Sequence, residues 1–187
     1  LGLELIRFRV AKHLDSRERL QAELPQQALL SLTRHFVYRA QNSVTDPAST
    51  VLSSRNLQQT KWCDAAVKIG MVDTKIMTEH GAFAHQPITQ RTFTDSRLQQ
   101  PIAHGTAVAG LLVGRHDNYQ SLLPNAQLYN GAVFYRHNAL QQGAALLPLL
   151  EALNWLAGAD VNVVNVSLTG PASPLLATAV KKLAKQG

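Results

Sequence analysis

The apolar positions change rhythm along the chain. Residues Leu3 to Val10 read Leu-Glu-Leu-Ile-Arg-Phe-Arg-Val, a near-alternation that predicts a strand. Asp15 with Glu18 three residues on is a capping-box spacing, so a short amphipathic helix is expected to run to Leu24 and stop at Pro25. His35-Phe36-Val37-Tyr38-Arg39 predicts a second strand, making residues 1–41 a small α+β unit. Residues 42–62 lose the apolar pattern and gather Ser, Thr, Gln and Asn around Pro47, the composition of a linker or loop. From Cys63 the rhythm becomes strand, helix, strand, helix. Strands are expected at Ala65–Val72, Ala126–Phe134 and Val161–Leu168. Helices are expected at Ala103–Val113, Ala144–Ala157, with a start blurred by Pro148, and Leu175–Lys185. Such alternation implies right-handed crossovers and a parallel α/β sheet over residues 63–187.

Composition narrows the class. With 187 residues, 45% hydrophobic and 16% charged, the chain is globular in type. The longest apolar run, Ala144–Leu150, contains Pro148 and is far short of the roughly 18 residues that cross a bilayer, so no membrane span is expected. The net charge of +6 is spread over Arg7, Arg9, Arg34, Arg39, Arg91, Arg115 and Lys181 without interleaved aromatics, the pattern of a solvated surface rather than a nucleic-acid face. A single cysteine, Cys63, leaves no internal disulfide and no CxxC site. No GxGxxG fingerprint or P-loop marks a nucleotide site. His80, His85, His116 and His137 lack ligand spacing with acidic or Cys partners, so no metal site is expected.

Three features could carry chemistry. In open parallel sheets ligands bind beyond the carboxyl ends of the strands, and Asp73 ends the strand Val67–Val72, where it either contributes a functional carboxylate or only starts a turn. His104 opens His104-Gly105-Thr106-Ala107-Val108-Ala109-Gly110, whose small residues let a helix press closely on a sheet. The field at a helix N-terminus favours the neutral imidazole a general base needs, although a histidine there can equally be a cap or a surface group. A carboxylate holding the Nδ1 proton would set the imidazole tautomer, and Asp73 with His104 is such a candidate pair. Finally, Val163-Val164-Asn165-Val166-Ser167-Leu168-Thr169 turns abruptly polar before Gly170-Pro171. Its end is either a strand running into a loop or an edge that pairs with an extended peptide.

Taken together these residues resemble the subtilisin-like serine proteases, the subtilases. Ile69-Gly70-Met71-Val72-Asp73-Thr74 is similar to their Asp motif and His104–Gly110 to their His motif. Leu123–Tyr129 is similar to the stretch entering the next central strand, and Val164–Leu168 to the strand lining the substrate cleft. The resemblance covers residues 65–187 and implies a parallel-sheet, three-layer subtilisin-like fold, incomplete in this chain. Residues 1–41 resemble the second half of a subtilase propeptide, with His35–Arg39 approaching the segment that enters the cleft like a substrate. The implied activity is serine-type endopeptidase, with Asp73 as orienting carboxylate, His104 as general base, and Ser167, Leu168 and Thr169 lining the cleft. The implied partners are a peptide or protein substrate and the chain's own propeptide segment. The implied location is secreted or periplasmic. No cofactor is expected, and a structural calcium ion is left open with no ligands identified.

The chain departs from the family pattern in four ways. No Gly-Thr-Ser-type nucleophile motif occurs in the 187 residues, and the expected oxyanion asparagine is absent too. The ends at Leu1 and Gly187 read as interior positions of a longer protein, so these residues alone are expected to be inactive. The alternative is a pseudoprotease or peptide-binding scaffold. Lys75 stands where a small residue usually follows Asp-Thr and could place a cation beside Asp73, and Thr169 stands at a position often held by glycine.

Overall fold

The computed structural model describes residues 2, 4–24, 32–40, 65–116, 119–136 and 142–185. The expected linker at 42–62, Cys63, Pro25 and His137 lie outside the described residues. The strands are β1 (Val37–Ala40), β2 (Lys68–Asp73), β3 (Ile88–Thr92), β4 (Arg115–His116), β5 (Tyr119–Gln120), β6 (Gln127–Ala132), β7 (Phe134–Arg136), β8 (Gln142–Ala145), β9 (Val163–Val166) and β10 (Leu168–Thr169). The α-helices are α1 (Arg17–Glu23), α2 (Ala103–Val113), α3 (Leu146–Gly158) and α4 (Pro174–Leu183).

A four-stranded parallel sheet in the order β3-β6-β2-β9 forms the centre. The alternation of β2 divides its side chains between two cores. Ile69 and Met71 pack with Leu128 and with Ala109 and Val113 of α2. Val72 faces the other way, into a cluster with Leu149, Leu153 and Leu156 of α3 and Ala179 of α4. The result is three layers, helix, sheet, helices, the α/β architecture expected from the strand–helix rhythm. Pro148 causes no break because it sits in the first turn of α3, where a backbone N–H has no helical partner to lose.

A second sheet, antiparallel, has the order β10-β1-β8-β7. Here the structure corrects the sequence reading. Ala144 belongs to β8 and not to the following helix, because Gln142–Ala145 finds a partner strand in β1. The edge strand β3 escaped notice because Ile-Thr-Gln-Arg-Thr is mostly polar, yet it pairs along its whole length with β6. The expected strand at Leu3–Val10 is not formed over its described residues 4–10. Among the described residues its alternation has no ladder partner, and Ile6 and Phe8 stay 79% and 50% exposed. The cap of α1 is Ser16, whose Oγ accepts the Arg19 N–H at 3.3 Å, while Asp15 pairs with Arg34 at 3.1 Å instead. No described helix is long and apolar enough to cross a membrane.

Candidate active site

Asp73 reaches the site because β2 is an interior strand, flanked by β6 and β9, and is buried from Ile69 to Asp73. α2 then brings His104, in its first turn, back over the carboxyl end of the sheet. His104 Nδ1 lies 2.7 Å from Asp73 Oδ1, with the carboxylate fully buried and the imidazole side chain 22% exposed. A carboxylate accepts, so Nδ1 carries the proton and Nε2 remains as the acceptor nitrogen. The same Oδ1 accepts the Thr74 N–H at 2.6 Å, and Thr74 Oγ1 accepts the Gly105 N–H at 2.7 Å. This contact explains the glycine after His104. A Cβ on Gly105 would stand 2.5 Å from the Thr74 carbonyl oxygen and 2.8 Å from Oγ1. Lys75 places no cation on Asp73: its side chain is exposed, and the ion-pair partner of Asp73 is His104.

The polar end of β9 lies beside this pair. Val166 is in register with Val72, so the residue after it, Ser167, falls at the level of Asp73. Ser167 is half-buried and its Oγ accepts from Asn165 Nδ2 at 3.2 Å. Leu168 and Thr169 leave the parallel sheet and form β10, and the Thr169 side chain is exposed. Their partner is β1, with Ala40 opposite Leu168 and Arg39 opposite Thr169, while on its other side Val37 and Tyr38 face Ala145 and Ala144 of β8. β1 is thus an extended segment clasped antiparallel between two walls. Its chain direction runs from Thr169 toward Leu168, that is, toward the Asp73 end of the sheet. Sequence reasoning found the β10 wall but missed β8. The signal available was the run of small residues Gly143-Ala144-Ala145, which lets another backbone approach.

Tyr38 anchors the clasped strand. Its side chain is 2% exposed and packs in the cluster of Leu146 and Leu149. A Cβ on Gly170 would fall 2.3 Å from its ring. Burial pushes the Tyr38 phenol above its usual range, against a smaller opposing effect of the Ser173 hydroxyl. Just upstream, His35 Nε2 accepts the Leu147 N–H at 3.2 Å in the first turn of α3. A cavity of about 930 Å³ opens beside it, lined by Leu5, Leu20, Leu24, Leu150 and Leu175 among others, and it does not include Asp73 or His104.

Burial, and then the Arg7 charge, lower the His35 pKa below 6.5. The detached or unfolded segment therefore takes up a proton more readily than the clasped one. The contribution of His35 to the hold on β1 is fully present above 6.5 and is lost as pH falls through the lower folded value. Amide protection of residues 37–40, corrected for intrinsic exchange, is expected to fall between about pH 7 and about pH 5, a range in which histidine changes charge. In His35→Gln this step is expected to vanish.

Among the described residues no three His, Cys, Asp or Glu side chains converge to hold a metal ion. The subtilase family matches residues 64–187. The subtilisin-like protease SBT6.1 of Arabidopsis thaliana is 27% identical over 125 residues, covering 66% of this chain and 12% of the relative. The minor extracellular protease Epr of Bacillus subtilis is 31% identical over 126 residues, covering 65% of this chain and 18% of the relative. The structure of the prenylagaramide maturation protease PagA superposes with a TM-score of 0.54 at 18% identity, over 73% of this chain and 48% of that one, and so speaks for the fold. The chain spans under a fifth of the length of these two sequence relatives. With the family matched across two thirds of its residues and a buried aspartate bonded to the histidine that opens α2, the chain belongs to the subtilases.

Proposed function

We propose that this chain is part of a serine-type endopeptidase in which Asp73 orients and His104 acts as the general base. The observation that carries the reading is the 2.7 Å bond from His104 Nδ1 to a fully buried Asp73. Asp73 holds the tautomer whose Nε2 takes the proton from an attacking serine hydroxyl and returns it to the leaving amine. It also stabilises the imidazolium formed between those steps. The serine and the donors for the oxyanion come from parts of the full-length protein outside these 187 residues, and the chemistry calls for no cofactor. The substrate is a peptide or protein chain that enters extended, pairing with Leu168 and Thr169 on one side and β8 on the other, with Ser167 at the lip.

In the same reading residues 1–41 are propeptide and β1 is its cleft-bound strand, so the protein is made as a zymogen. The antiparallel placement of β1 between β8 and β10 supports this. Secretion to the outside or the periplasm fits a relative named as an extracellular protease.

Gly105→Ala in the full-length protein tests the geometry. The added methyl forces α2 off Thr74 and draws His104 away from Asp73, and misplacement on the scale of 1 Å costs about 10²-fold in rate. A loss of kcat of that order in a protein with unchanged circular dichroism is expected. Unaltered hydrolysis would contradict the assignment of His104. A full-length protein that binds peptides but cleaves none would instead be a pseudoprotease.

A further inference from the structure

The apolar run Leu128-Tyr129-Asn130-Gly131-Ala132-Val133-Phe134, which begins in β6, is interrupted by one fully buried amide, Asn130. In register beside it on β3 stands Gln90. We propose that Gln90 and Asn130 are positioning residues that lock the turn after β2 and thereby hold Asp73 against His104.

The hydrogen bonds leave one consistent orientation. Ile76 N–H can only donate, and it donates to Gln90 Oε1 at 2.6 Å. Gln90 Nε2 then donates to the Ile76 carbonyl at 3.3 Å, so one side chain clasps both backbone groups of Ile76. Gln90 Oε1 also faces Asn130, which must turn its NH₂ toward it, at 2.9 Å. The second hydrogen of that NH₂ goes to the Thr74 carbonyl, an obligatory acceptor, at 3.0 Å. Among the described residues Asn130 Oδ1 is left buried without a partner, so the side chain keeps this orientation for what its nitrogen holds.

Thr74 is the pivot. Its N–H and the His104 Nδ1–H both go to Asp73 Oδ1, while Asp73 Oδ2 is buried with no hydrogen-bond partner among the described residues. The carboxylate is therefore aimed through one oxygen, and the backbone that aims it is the one Asn130 holds. Gly105 N–H bonded to Thr74 Oγ1 ties the same residue to the first turn of α2. The sheet, through two amides, sets the position of both members of the pair.

The half-buried Gln90 is the member to change. Gln90→Met removes the clasp on Ile76 and the anchor of the Asn130 amide. Gln90→Glu keeps an acceptor for both short bonds. In the full-length protein with ¹⁵N-labelled histidine, the proton shared by His104 Nδ1 and Asp73 is read as a low-field resonance, assigned by its absence in His104→Ala. It is expected to broaden or vanish in Gln90→Met and to return in Gln90→Glu. This arm is independent of the peptidase reading. The kinetic arm rests on that reading: Gln90→Met is expected to lower kcat at least ~10-fold with KM within about twofold, the mark of lost orientation rather than lost binding. A resonance unchanged in Gln90→Met, or lost in both variants in step with thermal stability, overturns the positioning role. A native protein that hydrolyses nothing overturns the peptidase reading and leaves the resonance to decide the inference.

Discussion

Asp73→Asn in the full-length protein is expected to lower kcat for peptide hydrolysis by on the order of 10⁴-fold, the scale on which the orienting carboxylate acts in hydrolases of the triad type. The physical reason is charge. Asp73 Oδ1 accepts both the Thr74 N–H and the imidazole Nδ1–H. An amide oxygen in its place can accept both bonds, but as a neutral group it gives the imidazolium formed during proton transfer no counter-charge. If the amide instead turns its NH₂ to His104, the imidazole takes the tautomer with its proton on Nε2 and cannot receive one from the serine. KM is expected to stay within a few-fold, since Asp73 is fully buried and the proposed peptide site lies between β8 and β10. Steady-state kinetics on a peptide substrate measure both constants. A drop in kcat of less than 10-fold would remove Asp73 from the mechanism.

The second large effect concerns the clasp on β1. Tyr38 is the fully buried member of Val37–Ala40, seated among Leu146 and Leu149. Truncating a buried aromatic to alanine costs about 3–5 kcal/mol, which corresponds to a hold weaker by at least ~10²-fold. Tyr38→Ala is therefore expected to raise hydrogen exchange of the Tyr38, Arg39 and Ala40 amides by about that factor, with the β2–β6 ladder unaffected. Gly170→Ala should move the same amides in the same direction from the other side, because its methyl occupies the space of the Tyr38 ring. If both variants leave β1 protected, the strand is held by something other than the Tyr38 pocket.

Much of this site was legible in the sequence. The β2 run ending in Asp73 and the small-residue helix opening with His104 are strong local patterns, and folding needed only to join them across the parallel sheet. The strand Val163–Val166 was legible as a β-branched run that turns polar before Gly-Pro, but it is the edge of the parallel sheet and not a buried strand, with Val163 65% exposed. What stayed hidden depended on partners distant in sequence. Strand Gln142–Ala145 reads as the start of a helix until β1 is present to pair with it. The alternation at Leu3–Val10 reads as a strand, yet periodicity cannot supply a partner ladder, and over its described residues none is formed. Asn130 in an apolar strand was visible as an oddity, but its meaning requires Gln90, forty residues away and on a neighbouring strand.

The most direct test is covalent labelling of the full-length protein with a fluorophosphonate, which phosphonylates a serine hydroxyl only where an adjacent base activates it. The expected result is one labelled serine, outside the 187 residues, with labelling abolished in His104→Ala and strongly slowed in Asp73→Asn. A folded protein that takes up no label and cleaves no peptide would contradict the account and leave the groove between β8 and β10 as a peptide-binding site without chemistry.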